Sequence, residues 1–327
     1  MEGMSTRATV DDVVEQVQQG IEDRQLTRLD NIARRLVDAE TEVKTFLLTI
    51  KKHRHMMFYV NTSSIGERNP RLRLSVRVHG VQCGRVELTG SKDRPFTPLN
   101  HETVFPECWE ASDTTSLPWT HPSVRRYLEQ AEKVVRTSAF GTREAAVQAA
   151  TIRSIRKDRK QWRYQALVRY PARTNKGVPY QLPVPIRARG EPGALVGDGA
   201  GHTDLLTRKG LGRSSRLRVL ELKGPRAGDV STALDQAVAY AAALRTLMDR
   251  GEWYPRLLGY PNYTPPLEAT AVVADSEEAR AEVGDALESL SRSTAAFPKI
   301  RLSALFYRWE PAASGQIEVT HELRGPA

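Results

Sequence analysis

Three short pieces fall in order within residues 201–240 and carry side chains that could act together: GHTD at 201–204, ELK at 221–223 and QAVAY at 236–240. Asp204 and Glu221 are expected on adjacent strands. Lys223 lies two residues after Glu221, so the alternation of an extended strand puts both side chains on one face. Gln236 and Tyr240, four apart, share one face of the helix that follows. Two carboxylates brought together suit Mg2+, a hard cation that prefers oxygen ligands and retains waters. Such an ion lowers the pKa of a bound water and neutralises charge on a phosphate. A lysine beside it can position or activate that water, or stabilise the transition state. The chemistry this set predicts is phosphodiester hydrolysis.

As an ordered set, the Gly-x-x-Asp, Glu-x-Lys and Gln-x-x-x-Tyr spacing resembles the PD-(D/E)xK nuclease superfamily, and its RecB-like branch in particular. Each piece alone is common: Glu-x-Lys marks many solvated strand edges, and Gln-x-x-x-Tyr many helices. Their order, each on the element type the family requires, carries the specificity. The resemblance implies Asp204 and Glu221 as metal ligands, Lys223 as catalytic, and the backbone carbonyl of Leu222 as a further ligand. It implies Gln236 and Tyr240 as supports of the site or contacts to nucleic acid, and Mg2+ as cofactor, with Mn2+ able to substitute. Many members add an acid from a preceding helix, and Glu144 is the best-placed candidate, ahead of Asp198 and Glu191. Thr203 stands where a proline often precedes the aspartate. His202 is expected to face away from the site, and His53 and His55 to be solvated.

The partner is read from charge. The chain of 327 residues carries a formal charge of +9. Net charge alone does not name a partner, but its distribution is informative. From Arg153 to Arg189 the basic residues include Arg156, Lys157, Arg159, Lys160 and Arg163, with Asp158 as the single acid. Phosphate-backbone contact is expected of this cluster, with a solvated helix face as the bland alternative for any one member. Trp162, Tyr164, Tyr170 and Tyr180, interleaved with it, either stack on bases or pack in the core. DNA is the expected substrate and RNA the alternative, because no aromatic platform of the RNA-binding kind is evident. A binding or scaffold protein that keeps the nuclease fold without activity is the competing function.

The elements that must position these residues follow from periodicity. Residues 9–52 read as helical, with Gly20 as a break. Strands follow around MMFYV and LRLSVRVHGVQCGRVEL, in which Arg71, Arg73, Ser75, Arg77 and His79 alternate with apolar residues as in a half-buried strand. The loop formers of residues 108–122 mark a boundary. A helix then starts near Pro122 and another near Thr142. Beyond Val178 the order is strand, loop, strand, turn, strand, helix, strand, with Ser231 or Asp229 as candidate caps of the helix after ELK. The fold class expected is α/β. A restriction-endonuclease-like mixed sheet flanked by helices occupies 116–327, preceded by a smaller α+β domain over 1–115 that matches no known pattern.

Cys83 and Cys108 form no ligand cluster, which disfavours a disulfide framework or a structural zinc site. No apolar run suits a membrane span and the N-terminus lacks a signal-peptide core, so a cytoplasmic protein without a membrane partner is expected. A homo-oligomer, at least a dimer, is expected because many nucleases pair active sites to cut two strands. By fold-level analogy, a small nuclease with an unfamiliar front domain resembles bacterial anti-phage systems.

Overall fold

The computed structural model describes residues 9–49, 56–61, 73–78, 80–88, 93–99, 116–137, 144–158, 160, 162, 165–170, 178–179, 183–184, 201–210, 216–225, 230–259, 266–291, 300–310 and 316–325. The N-terminal apolar positions form three helices, α1 (Val10–Gly20), α2 (Asp23–Asp38) and α3 (Glu40–Thr49). Thr9 opens α1 with a reciprocal cap: its hydroxyl accepts the Asp12 N–H at 3.2 Å, and the Asp12 carboxylate accepts the Thr9 N–H at 2.7 Å. Gly20 is the last residue of α1.

The alternating segments then form an antiparallel sheet of β1 (Met56–Asn61), β2 (Arg73–Val78), β3 (Val81–Glu87), β4 (Pro95–Pro98) and β5 (Leu117–Pro118), in that order. Helix α4 (Pro122–Thr137) packs on β2 and β3, with Pro122 at its first position, where the missing N–H costs no helical bond. The Tyr127 hydroxyl donates to the Cys83 carbonyl at 2.8 Å. Phe46, Phe58 and Phe96 meet Trp119 edge-on, which gives this front unit an aromatic centre. Its elements are drawn from both sides of residue 115.

The second sheet is built from α5 (Glu144–Lys157), β6 (Gln165–Leu167), β9 (Leu205–Lys209), β10 (Arg216–Leu222), α6 (Ser231–Arg250), α7 (Trp253–Leu257), β11 (Leu267–Ala274), α8 (Glu277–Leu290), β12 (Ile300–Glu310) and β13 (Gln316–Arg324). A separate short pair, β7 (Pro183–Val184) and β8 (Gly201–His202), precedes β9. The six strands run β13-β12-β11-β10-β9-β6. Strands β10, β11 and β12 are parallel, and α6 and α8 supply the crossovers that parallel neighbours require. The outer pairings are antiparallel. Alternation sorts the two faces: Leu205, Leu220, Leu222 and Val272 pack with Val147 and Ala150 of α5, while Leu206, Val219, Ala271 and Val273 pack with Leu234 and Ala237 of α6. The chain is a mixed α/β protein with helices on both faces of a mixed sheet. Among the described residues no helix is long and apolar enough to cross a membrane.

The start of α6 differs from the sequence expectation. The N-cap is Val230, which has no side-chain cap, and the Ser231 backbone N–H instead donates to the Glu282 carboxylate of α8 at 2.9 Å. A carboxylate from a neighbouring helix satisfies the exposed amide and complements the dipole of α6 as a local cap would. Asp229 lies outside the described residues.

Among the contacts that join the front unit to the second sheet, two set how they dock. Helices α1 and α2 lie on α6 and α7, and the Asp30 carboxylate of α2 accepts the N–H groups of Glu252, Trp253 and Tyr254 at 3.2, 2.8 and 3.3 Å, capping α7. The β2–β3 turn meets the first turn of α5. Gly80 has φ +90, and a Cβ there would lie 2.1 Å from the Ala145 carbonyl oxygen. Glycine alone fits both the backbone angle and the approach. Gly80→Ala is expected to destabilise the protein by roughly 2–4 kcal/mol, combining left-handed strain with overpacking. Urea unfolding would measure it; an unchanged midpoint would mean that the turn does not dock on α5.

Candidate functional site

The site forms where β9 begins and β10 ends. Leu205 is paired with Leu220, so Asp204, just ahead of β9, comes beside the last residues of β10. One Asp204 carboxylate oxygen accepts the Leu222 N–H at 2.9 Å. In an extended strand the N–H and C=O of one residue point to the same edge, so the Leu222 carbonyl is turned to the Asp204 side. Glu221 and Lys223 share a face, with Lys223 Nζ 3.9 Å from Glu221 Oε1. The Lys223 ammonium donates to the side-chain oxygen of Gln236 on α6. Its backbone is held twice: the N–H donates to Val272 at 3.0 Å, and the carbonyl accepts the Tyr307 hydroxyl at 2.8 Å. Five of the residues singled out in the sequence, Asp204, Glu221, Leu222, Lys223 and Gln236, are thus brought together.

Glu221 is buried, and among the described residues its Oε2 has no hydrogen-bond partner. Asp204 is half-buried. Desolvation, then the nearby charge of Glu144, pushes Asp204 up to about 7 against the opposing Leu222 N–H, Lys223 and Arg77. Desolvation, then the charge of Asp204, pushes Glu221 well above the ordinary glutamate range, although Lys223 opposes it. Two carboxyl groups that burial and mutual repulsion both disfavour as anions need a cation to be ionised together. The orphaned Glu221 oxygen and the inward-turned Leu222 carbonyl are oxygen donors of the kind a hard divalent ion takes.

Glu144 opens α5 and is exposed; its charge acts on Asp204, Glu221 and Tyr307. Among the described residues no three acidic, histidine or cysteine side chains converge on one ion position, so the carboxylates form a pair with Glu144 at longer range. Tyr240 is buried on α6 and packs in the core. Of the two roles left open for it, that placement is the one of a support.

Comparison with models of protein families, with curated proteins and with solved structures finds no match to this chain. The site's chemistry is therefore read from its geometry.

In the basic segment, Arg156 and Lys157 end α5 and are exposed, as is Lys160. Arg159, Arg163, Tyr164, Tyr180, Glu191 and Asp198 lie outside the described residues, as do His53, His55 and Cys108. Trp162 and Tyr170 resolve the choice between stacking and packing: both are fully buried, and Trp162 Nε1 donates to Ser154 at 2.8 Å. They anchor the core and offer no face to a base.

Three residues that sequence reasoning passed over also reach the site. Gln148 of α5 donates to the Asp204 carbonyl at 2.7 Å, and its own oxygen accepts from Arg77 of β2 at 3.3 Å. Gln148 is the single polar side chain between Ala145 and Ala150, a signal that could have marked it. Arg77 sits within the expected polar face of β2, but that face is turned in part towards α5. Tyr307 carries no sequence signal. His202 ends β8 and is exposed, and the chain bends at Asp204 before β9 begins; the Arg77 charge acts on both residues.

Proposed function

We propose that this protein is a metal-dependent nuclease with a PD-(D/E)xK active site on a restriction-endonuclease-like sheet, acting on DNA. The observation that carries the reading is the buried pair Asp204 and Glu221, with an orphaned Glu221 oxygen and Lys223 held beside them by Gln236. Asp204, Glu221 and the Leu222 carbonyl would hold Mg2+ or Mn2+, with Glu144 reaching it through water. Such an ion supplies a bound water of lowered pKa and neutralises charge on the scissile phosphate.

The chain's own residues do the rest. Gln236 fixes the Lys223 ammonium, and Tyr307 fixes the backbone that carries it, so the ammonium is placed without reorganisation beside Glu221. There it can orient a water and stabilise charge that grows on the phosphate oxygens. The Leu222 N–H holds Asp204 in one orientation, and Gln148 fixes the backbone of the same residue. Arg156, Lys157 and Lys160 present cations to the flanking backbone phosphates.

The test is cleavage of supercoiled, linear and single-stranded DNA, and of RNA, with Mg2+ or Mn2+, by wild type, Glu221→Ala and Lys223→Ala. Metal-dependent cleavage lost in both variants supports the reading. DNA binding without cleavage by folded wild type would favour a binding protein, and cleavage of RNA alone would reassign the substrate.

A further inference from the structure

We infer that the front sheet supplies one bank of the substrate path: Arg77 of β2, with Arg153 and Arg156 of α5 and Arg169 beyond β6, forms a basic strip around Tyr59 that grips nucleic-acid phosphates beside the acid pair. The inference rests on the nuclease reading and adds residues from a part of the chain to which sequence gave no role.

Arg77 is held from two sides. Its guanidinium lies over the Tyr59 ring of β1, 4.5 Å from the ring centre, and one of its nitrogens donates to Gln148. Gln148 in turn holds the backbone of Asp204, so a cation anchored in the front sheet is delivered to the acid pair. The docking of Gly80 on Ala145 sets the distance between that sheet and α5. A stacked guanidinium with its fork fixed matches a phosphodiester better than a mobile lysine does, because little freedom is left to lose on binding.

The other three cations share this neighbourhood. Arg153 and Arg156, one turn apart on α5, act with Arg77 on the buried Tyr59 hydroxyl. Desolvation holds Arg153 and Arg156 below the usual guanidinium range, and the charge of Arg169 adds to that for Arg156. Like charges drawn together favour a polyanion as counterpart. They come from a strand, a helix and the segment after β6, so the anion that suits them is extended. A nucleic-acid strand is such an anion, and the nearest phosphates would lie next to the one being cut.

The test is binding of a labelled DNA oligonucleotide in EDTA, followed by anisotropy across salt concentrations, for wild type, Arg77→Gln, Arg77→Lys and Arg156→Gln. Arg77→Gln is expected to weaken binding by ~10-fold and to lower the slope of log affinity against log salt by about 1. Arg77→Lys should keep the slope with intermediate affinity. Arg156→Gln, on an exposed position, should lower the slope likewise and decides the matter if Arg77→Gln does not fold. Wild-type affinity and slope in both glutamine variants would overturn the strip and leave the nuclease reading standing. Binding with the predicted losses, but no cleavage under any metal, would keep the strip and remove the reading. A wild type that binds no nucleic acid would overturn both.

Discussion

Glu221→Gln is expected to abolish metal-dependent cleavage and, in the absence of metal, to stabilise the protein. The substitution keeps shape and removes a charge from a side chain whose Oε2 has no partner among the described residues. As a metal ligand, Glu221 cannot be replaced by a neutral amide without loss of at least about 10³-fold in rate, or roughly 4 kcal/mol of transition-state stabilisation. The stability effect has the opposite sign. The folded Glu221 binds its proton more tightly than the unfolded chain does, because burial and Asp204 both disfavour the anion. Folding stability then falls as pH rises from the ordinary glutamate value through the folded one, and Asp204 adds the same trend up to about 7. At pH 8 in EDTA the wild type is destabilised by its raised carboxyl groups and the variant escapes the share that belongs to Glu221. Thermal melts in EDTA at pH 5 and pH 8 should show the two proteins alike at the lower pH and the variant more stable at the higher. A variant that melts lower at pH 8 would contradict the account of an acid pair awaiting a cation.

Arg218→Ala is expected to be the most destabilising single change in the sheet, by ~3–5 kcal/mol, because it leaves buried carboxylates without their main cation. Arg218 of β10 is fully buried, paired with Glu268 of β11 and, at 3.1 Å, with Glu322 of β13. Ser303 of β12 accepts from Arg218 at 3.2 Å and donates to Glu268 at 3.0 Å. Lys209 joins both acids from β9, at 3.5 Å to Glu268 and 3.1 Å to Glu322. The network spans the strands that carry the acid pair. Burial alone would raise Glu322, but the hydrogen bonds from Arg324 and Lys209 and the charges of Lys209 and Arg218 hold it down at about 2. Its contribution is therefore present above the ordinary glutamate value and is lost as pH falls towards 2. Urea unfolding of Arg218→Ala, Glu268→Gln and the double variant would apportion the effect. The double variant should recover part of the loss, and simple additivity would mean that the pair does not act as a unit.

What the sequence made legible is what short-range periodicity can carry. The alternation through ELK placed Glu221 and Lys223 on one face, and the alanine-rich spacing of residues 231–250 gave the helix that brings Gln236 to Lys223. Sequence position did not give the supports. Arg77 and Gln148 are 71 residues apart, Gln148 and Asp204 are 56 apart, and Tyr307 and Lys223 are 84 apart, so each contact exists only once the sheets are docked. The alternating face of β2 was open to a solvent reading because its partner surface, α5, lies beyond three further strands and another helix. Trp162 and Tyr170 were ambiguous for a similar reason: an aromatic among basic residues has the same local pattern whether it faces a base or a core. The cap of α6 came from α8, where Glu282 sits at a position that has no local relation to Ser231.

The central claim is that Asp204 and Glu221 hold a divalent ion that Lys223 works beside. It is tested most directly by calorimetric titration of the metal-free protein with Mn2+. The account predicts binding by wild type, loss in Glu221→Gln, and binding retained by a Lys223→Ala protein that no longer cleaves DNA. A folded wild type that takes up no Mn2+, or a Glu221→Gln protein that binds it as wild type does, would contradict the account.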